Sequence, residues 1–294
     1  MSAVELAGAP VSWGVDFADD PLNAPPSEVL DGIAAAGLEW MELGPVGFLP
    51  ASADVLAQRG LRSVGTFVFD DLHDPSAERA VLAAAHDALA ALVTFGGRLL
   101  VLVDRPCRER AATAGRAAEA RRLEAGAWRA MIGTMRRVAE TASQAGVRVV
   151  VHPHAGTYVE FADEIERLLA DLPADDAGLC LDTGHALYAG LDPYRLVDDY
   201  RGRIQHLHVK DVDPRRHAYA LEHSHDFWTA MAAGAFCPAG EGLLDLRELA
   251  HTLRRAGYTG FATLEQDRRP ESPGTPLEDL RRSVARVRES GLGL

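Results

Sequence analysis

Short, mostly apolar runs alternate with amphipathic helical patterns from one end of this chain to the other. The strand-like runs are Val4–Trp13, Trp40–Leu43, Arg62–Phe69, Arg98–Val103, Val147–His152, Gly178–Asp182, Ile204–Lys210 and Phe261–Glu265. Runs of this length and character, flanked by helical pattern and turn residues, read as buried parallel strands. Between them, helical periodicity covers Ser27–Ala36, Ala53–Gln58, Ser76–Thr94, Ala125–Ala145, Ala162–Ala170, Tyr194–Tyr200 and Leu246–Ala256, with a last helix at Leu277–Arg288. Repeated strand–helix units imply parallel strands joined by right-handed crossovers.

The punctuation agrees with this reading. Ala36-Gly37, Ala145-Gly146 and Ala256-Gly257 each place glycine just past a helix and just before a strand. Pro26, Ser27 and Glu28 fit a helix start. Eight such units in 294 residues fit a single-domain (β/α)8 TIM barrel over residues 1–294, with its active site at the C-terminal ends of the strands. A doubly wound sheet would need a glycine-rich phosphate turn after the first strand, and Trp13-Gly14-Val15-Asp16 is a poor one. Two connections stand out. Arg105–Glu124 is charged, Ala-rich and of uncertain order. Val212–Glu241, the long loop after strand seven, carries His223, His225, Phe227, Trp228 and Cys237, too aromatic for a spacer; connections of this length usually form lids or binding loops.

Composition narrows the function. With 47% hydrophobic and 25% charged residues, the chain has the make-up of a soluble globular enzyme. A net charge of −13 argues against nucleic acid and against an anionic membrane as partner. No run reaches the roughly 18–20 apolar residues that span a bilayer. Met1–Gly8 shows no export signal, and three widely spaced cysteines, Cys107, Cys180 and Cys237, suggest reduced thiols in the cytoplasm. Homo-oligomerisation is left open. Of the 30 basic residues only Lys210 is lysine. Lysine can lose its proton and presents a compact ammonium, whereas arginine does neither.

Candidate chemistry lies at four strand ends. The runs of strands five to eight stop at His152, Asp182, His208 and Glu265. Any one of these has a duller explanation as a loop or cap residue, but four matched positions converge at one end of a barrel. Two imidazoles and two carboxylates suit a borderline or hard divalent cation. Lys210 follows His208 by two residues, on the same side of an extended strand.

The segments HPHAGTYVE (152–160), LDTGHALYAG (181–190), HLHVKD (206–211) and GYTGFATLEQDRRP (257–270) resemble inosose dehydratases of inositol catabolism, within the xylose-isomerase-like sugar isomerase and epimerase superfamily. APVSWG (9–14), MELGPVGFLP (41–50) and FWTAMAAGAFCPAGEG (227–242) extend the resemblance over nearly the whole chain, weakest between Asp70 and Glu124. The resemblance implies one divalent metal held by His152, Asp182, His208 and Glu265. His152 stands where the superfamily more often has Glu, which shifts preference toward nitrogen-tolerant metals. Manganese or cobalt is expected first, with magnesium, iron and zinc as the other ions to consider. His154 and His185 are expected to support the ligands or face substrate. Glu241 sits in a glycine-flanked turn where the family tends to have Asp. Trp13 is a candidate pocket wall, and Glu42 a residue that binds a substrate hydroxyl or pairs with a nearby base.

The implied substrate is a keto-polyol such as 2-keto-myo-inositol. The metal would act as a Lewis acid that stabilises an enediolate. A base removes the α-proton, and the β-hydroxyl then departs with help from a general acid; a keto-sugar epimerase or isomerase would return a proton instead. His154, His185, Glu241 and Lys210 are the proton-transfer candidates, with His154 and Lys210 also facing substrate. Lys210, beside a divalent cation, is expected to have a depressed pKa. A lyase that cleaves C-glycosides is a third enzyme reading, and a silent polyol- or protein-binding barrel is the non-enzyme one. Stoichiometric metal would separate the silent barrel from the rest.

Overall fold

The computed structural model describes residues 4–293. Its centre is a closed barrel of eight parallel strands: β1 (Glu5–Gly8), β2 (Trp40–Glu42), β3 (Arg62–Asp70), β4 (Leu99–Asp104), β5 (Arg148–Val151), β6 (Gly178–Asp182), β7 (Ile204–Val209) and β8 (Phe261–Leu264). Each strand pairs with its sequence neighbours, and β8 closes on β1 with Ala262 opposite Leu6. β1 and β5 therefore stand across the barrel from each other. Runs such as Val149–Val151 and Leu100–Val103 are buried because side chains on one face meet the helices and those on the other fill the barrel. Gly37, Gly146 and Gly257 adopt φ of +81°, +68° and +70°, where a side chain would be strained, and so end their helices as the sequence predicts.

Several expectations need correction. The first strand stops at Gly8 rather than Trp13, because Pro10 has no N–H to continue the ladder and opens a 3-10 turn over Pro10–Trp13. Ser27 does not cap its helix; Pro26–Ala35 begins behind Pro25 with no side-chain cap. The stretch Arg105–Glu124 is ordered, largely by Arg110. This fully buried guanidinium donates to both carboxylate oxygens of Glu164 at 2.7 and 3.0 Å and stands 3.5 Å from Glu160.

The connection after β7 folds into helices Pro214–Glu222 and Phe227–Ala232 and a short antiparallel ladder of Asp211–Val212 with Phe236–Cys237. Its anchor is Asp211. That buried carboxylate accepts from the backbone N–H groups of Val212, Gly240, Gly242 and Leu244 at 2.7–2.9 Å. Among the described residues, no helix is long and apolar enough to cross a membrane.

Candidate metal centre and the cavity above it

The ends of β5 to β8 deliver four donors to one point. His152 presents Nε2, because its Nδ1 lies 2.7 Å from the Pro153 carbonyl and so carries the proton. That Nε2 is 3.4 Å from Asp182 Oδ2. His208 is turned the other way: its Nε2–H donates to Glu42 Oε1 at 2.9 Å, leaving Nδ1 as the lone pair. His208 Nδ1 is 3.6 Å from Asp182 Oδ2 and 3.1 Å from Glu265 Oε2. The other Asp182 oxygen caps helix Thr183–Tyr188 by accepting from His185 N at 2.8 Å.

Asp182 Oδ2 and His208 Nδ1 are buried and have no hydrogen-bond partner. Lone pairs turned toward one another are costly in an interior unless positive charge lies beside them, here the Lys210 ammonium 3.1 Å from Asp182 Oδ2 and any cation the pair could hold. Ligand atoms about 3–3.6 Å apart are what bonds of roughly 2.0–2.2 Å to one ion require. The donor set therefore fits a divalent metal. His152, Asp182 and His208 form its closest cluster, and Glu265 joins through His208.

The electrostatics point the same way. Burial would raise Asp182, but Lys210, His185 and contacts from His152 and His208 hold it well below the usual carboxylate range. Burial would lower His208, but Cys180, Glu265 and Glu42 hold it well above the usual imidazole range. These surroundings favour positive charge at His208, as a proton or as a metal that displaces it.

Lys210 reaches into the same cluster. Its Nζ lies 2.6 Å from Asp267 Oδ1, 3.1 Å from Asp182 Oδ2 and 3.3 Å from Glu265 Oε2. Gly184 makes room for its stem: a Cβ there would come within 2.6 Å of Lys210 Cγ. The expected depressed pKa belongs to Lys210 beside a bound cation. Burial acts in that direction, but three carboxylates outweigh it and keep the ammonium charged well above its ordinary range.

His185 Nδ1 lies 3.3 Å from Ala155 N, and its Nε2 lies 3.0 Å from the Lys210 ammonium and 3.2 Å from Asp267 Oδ2. His154 stacks on His185 with ring centroids 3.7 Å apart, and its Nδ1 donates to the Ala155 carbonyl at 2.9 Å. Burial first, then neighbouring imidazoles or Lys210, pushes both rings well below the ordinary histidine value.

Three candidates lie elsewhere. Glu42 is buried beneath the cavity, where Oε1 accepts from His206, His208 and Thr263 at 2.7–2.9 Å. It orients His208, pairing with nearby bases as one of its two expected roles has it, and it does not line the cavity. Trp13 packs into the core against helix Pro26–Ala35; a Cβ on Gly32 would meet its ring at 2.4 Å. The tryptophan lining the cavity is Trp228 instead, with Phe227 and Met231 from the connection after β7. Glu241 faces outward to Arg282 and Arg286 at 2.9 and 3.2 Å, because its turn wraps the Asp211 carboxylate and not the cavity.

Two cavity residues were not anticipated. Asp267 lies two past Glu265, and strand-like alternation in Glu265-Gln266-Asp267 was the signal available for it. Asp16, on the loop after β1, had no local signal. It lines the cavity, its Oδ2 is buried without a hydrogen bond, and Arg269 Nη1 approaches no closer than 3.9 Å. Burial, then the nearby Asp267 carboxylate, raises Asp16 to about 7.

Comparison with known proteins adds to this geometry. Inosose dehydratase of Geobacillus kaustophilus is 36% identical over 149 residues, a match covering 51% of this chain and 48% of that protein. The chain thus spans about half the length of that relative. The rhizopine catabolism protein MocC of Rhizobium meliloti is 28% identical across 92% of this chain and 83% of its own. Among solved structures, the IOLI protein with a bound zinc atom superposes with a TM-score of 0.69 at 15% identity, covering 98% of each chain, which speaks to the fold alone. Residues 30–289 match the family described as the xylose isomerase-like TIM barrel, and the chain belongs to that family.

Proposed function

We propose that this protein is a divalent-metal-dependent lyase that dehydrates a keto-polyol such as 2-keto-myo-inositol. The observation that carries the reading is the convergence of Asp182 Oδ2 and His208 Nδ1, buried and without hydrogen bonds, with His152 Nε2 and Glu265 Oε2. The inosose dehydratase relative supports the reaction class, and the zinc-bearing IOLI barrel supports a metal. Manganese or cobalt is the expected ion. Once bound, it supplies Lewis acidity toward a carbonyl and an adjacent hydroxyl.

The rest is the chain's own work. Glu42 fixes the His208 tautomer, as carboxylate partners of ligating histidines do. Lys210, held charged by Asp182, Glu265 and Asp267, offers a point-charge contact to a substrate oxygen at the cavity floor. With Nδ1 committed to Ala155, His154 presents Nε2 as the base for the α-proton. Trp228 and Met231 cover the substrate from the connection after β7 and exclude water. The free thiols Cys107, Cys180 and Cys237 accord with a cytoplasmic setting.

Epimerisation is the second reading, since it shares proton removal and differs only in returning a proton instead of expelling a hydroxyl. Incubating metal-loaded protein with 2-keto-myo-inositol distinguishes the two. Dehydration produces a conjugated, ultraviolet-absorbing dione, whereas an epimer with no new absorbance rejects the lyase.

A further inference from the structure

Dehydration needs an acid that protonates the departing hydroxyl, and the other candidate groups leave that place unfilled. Lys210 is enclosed by three carboxylates, and His185 is committed to Ala155, Lys210 and Asp267. Glu241 is outside the cavity. Asp16 meets the need by position. It sits on the loop after β1, and His154 follows β5, directly across the closed barrel. Both line the same cavity, so a substrate between them meets a base on one side and a carboxyl on the other. The Asp16 Oδ2 atom is buried with no hydrogen bond.

We propose that Asp16 delivers the proton to the hydroxyl that leaves, completing the proposed dehydration, on which this role depends. His154 Nε2 takes the α-proton, and the electron pair of that C–H bond moves toward the carbonyl, giving an enolate that can be reprotonated; its collapse forms the new carbon–carbon double bond to the β-carbon. The β-carbon–oxygen bond breaks, and its oxygen takes the Asp16 proton and leaves as water. Asp16 ends as a carboxylate and His154 protonated, with no net oxidation or reduction; exchange with water restores both. The groups facing Asp16 are Asp267 and Glu265, which favour its protonated form, and Arg269 and Lys210, which oppose it. Asp20 draws part of the Arg269 charge away at 3.7 Å. Burial and Asp267 dominate, so the carboxyl holds its proton near neutral pH.

The test separates the two halves of the reaction. Metal-loaded wild type, Asp16→Asn and Asp16→Glu are incubated with 2-keto-myo-inositol in heavy water. Deuterium entry at the α-carbon is followed by NMR, dione formation by absorbance, and metal content is measured for each protein. Asp16→Asn should lose about 100-fold or more in dehydration, the scale of a missing general acid. It should keep its metal and exchange deuterium within a few-fold of wild type, and Asp16→Glu should recover part of the loss. Equal loss of exchange and dehydration, or no loss of either, would overturn the role of Asp16. Wild type that exchanges deuterium without forming dione overturns it too, by removing the leaving hydroxyl. Wild type that does neither rejects the proposed function itself.

Discussion

Strand-end carboxylates occur on both sides of this barrel, but their surroundings differ. On β4, Asp104 is spent on structure: it accepts from the backbone N–H and Nδ1 of His73 at 3.0 and 2.8 Å and from Tyr158 N at 3.2 Å. On β3, Asp70 accepts from Asp71 N at 2.8 Å and faces Arg105. On β6, Asp182 is as deeply buried as Asp104, yet one oxygen makes no hydrogen bond and instead faces the Lys210 ammonium at 3.1 Å and two imidazole nitrogens at 3.4 and 3.6 Å. The residue type and the strand position are the same. What marks the chemical side is convergence: the free Asp182 oxygen faces two imidazole nitrogens and an ammonium, whereas the Asp104 oxygens are taken up by neighbouring N–H groups.

The largest test of that contrast is to remove each aspartate. Asp182→Ala should abolish both bound metal and turnover. Asp104→Ala should retain metal while losing stability by about 2–3 kcal/mol, the scale of hydrogen bonds to a buried charge. Metal analysis and thermal melting of the two variants check this, and metal loss in Asp104→Ala would erase the distinction.

Lys210 comes next. Lys210→Arg and Lys210→Met should both lose about 100-fold or more in turnover, because arginine keeps the charge but not the compact ammonium. Near-normal turnover in Lys210→Arg would reduce the sole lysine to an accident of coding. Three carboxylates also depend on it, so Lys210→Met should lower the melting temperature without metal, with recovery when metal is in excess.

Arg110→Met is a smaller test for function, though not for stability. It strands the buried carboxylates Glu160 and Glu164 and should cost about 3–5 kcal/mol in denaturant unfolding. Metal affinity should not change.

The smallest effect concerns pH. Burial opposes charge on His73, but Asp104 outweighs it and raises His73 above the ordinary 6.5. A raised histidine value gives stability that is complete below the unfolded value and fades as pH climbs through the folded one. Melting temperature should therefore fall gradually above pH 6.5, and Asp104→Asn should flatten that slope. His154 and His185 are displaced the other way: their unfolded forms still bind protons just above pH 6.5, so they oppose the fall there and add nothing at higher pH.

The eight strands were legible because barrel strands are buried on both faces and show as unbroken apolar runs, and His152, Asp182, His208 and Glu265 were legible because they end such runs. Trp13 misled because Val11-Ser12-Trp13 continues an apolar pattern while its partner, Gly32, comes from the next helix, whose packing angle no local pattern gives. Glu241 misled for a related reason. Its glycine-flanked turn is a real signal, but it serves Asp211, whose demand for backbone donors appears only once the chain has folded. Asp16 was invisible to local pattern, since its neighbours Asp267 and Arg269 lie at the other end of the sequence.

If Asp182 Oδ2 on β6 and His208 Nδ1 on β7 belong to a metal, diffraction from manganese-soaked crystals at the manganese absorption edge should reveal it. One strong anomalous peak is expected, bounded by His152 Nε2, Asp182 Oδ2, His208 Nδ1 and Glu265 Oε2, and absent in Asp182→Ala. No peak at saturating manganese, or a peak away from these four atoms, would contradict that assignment.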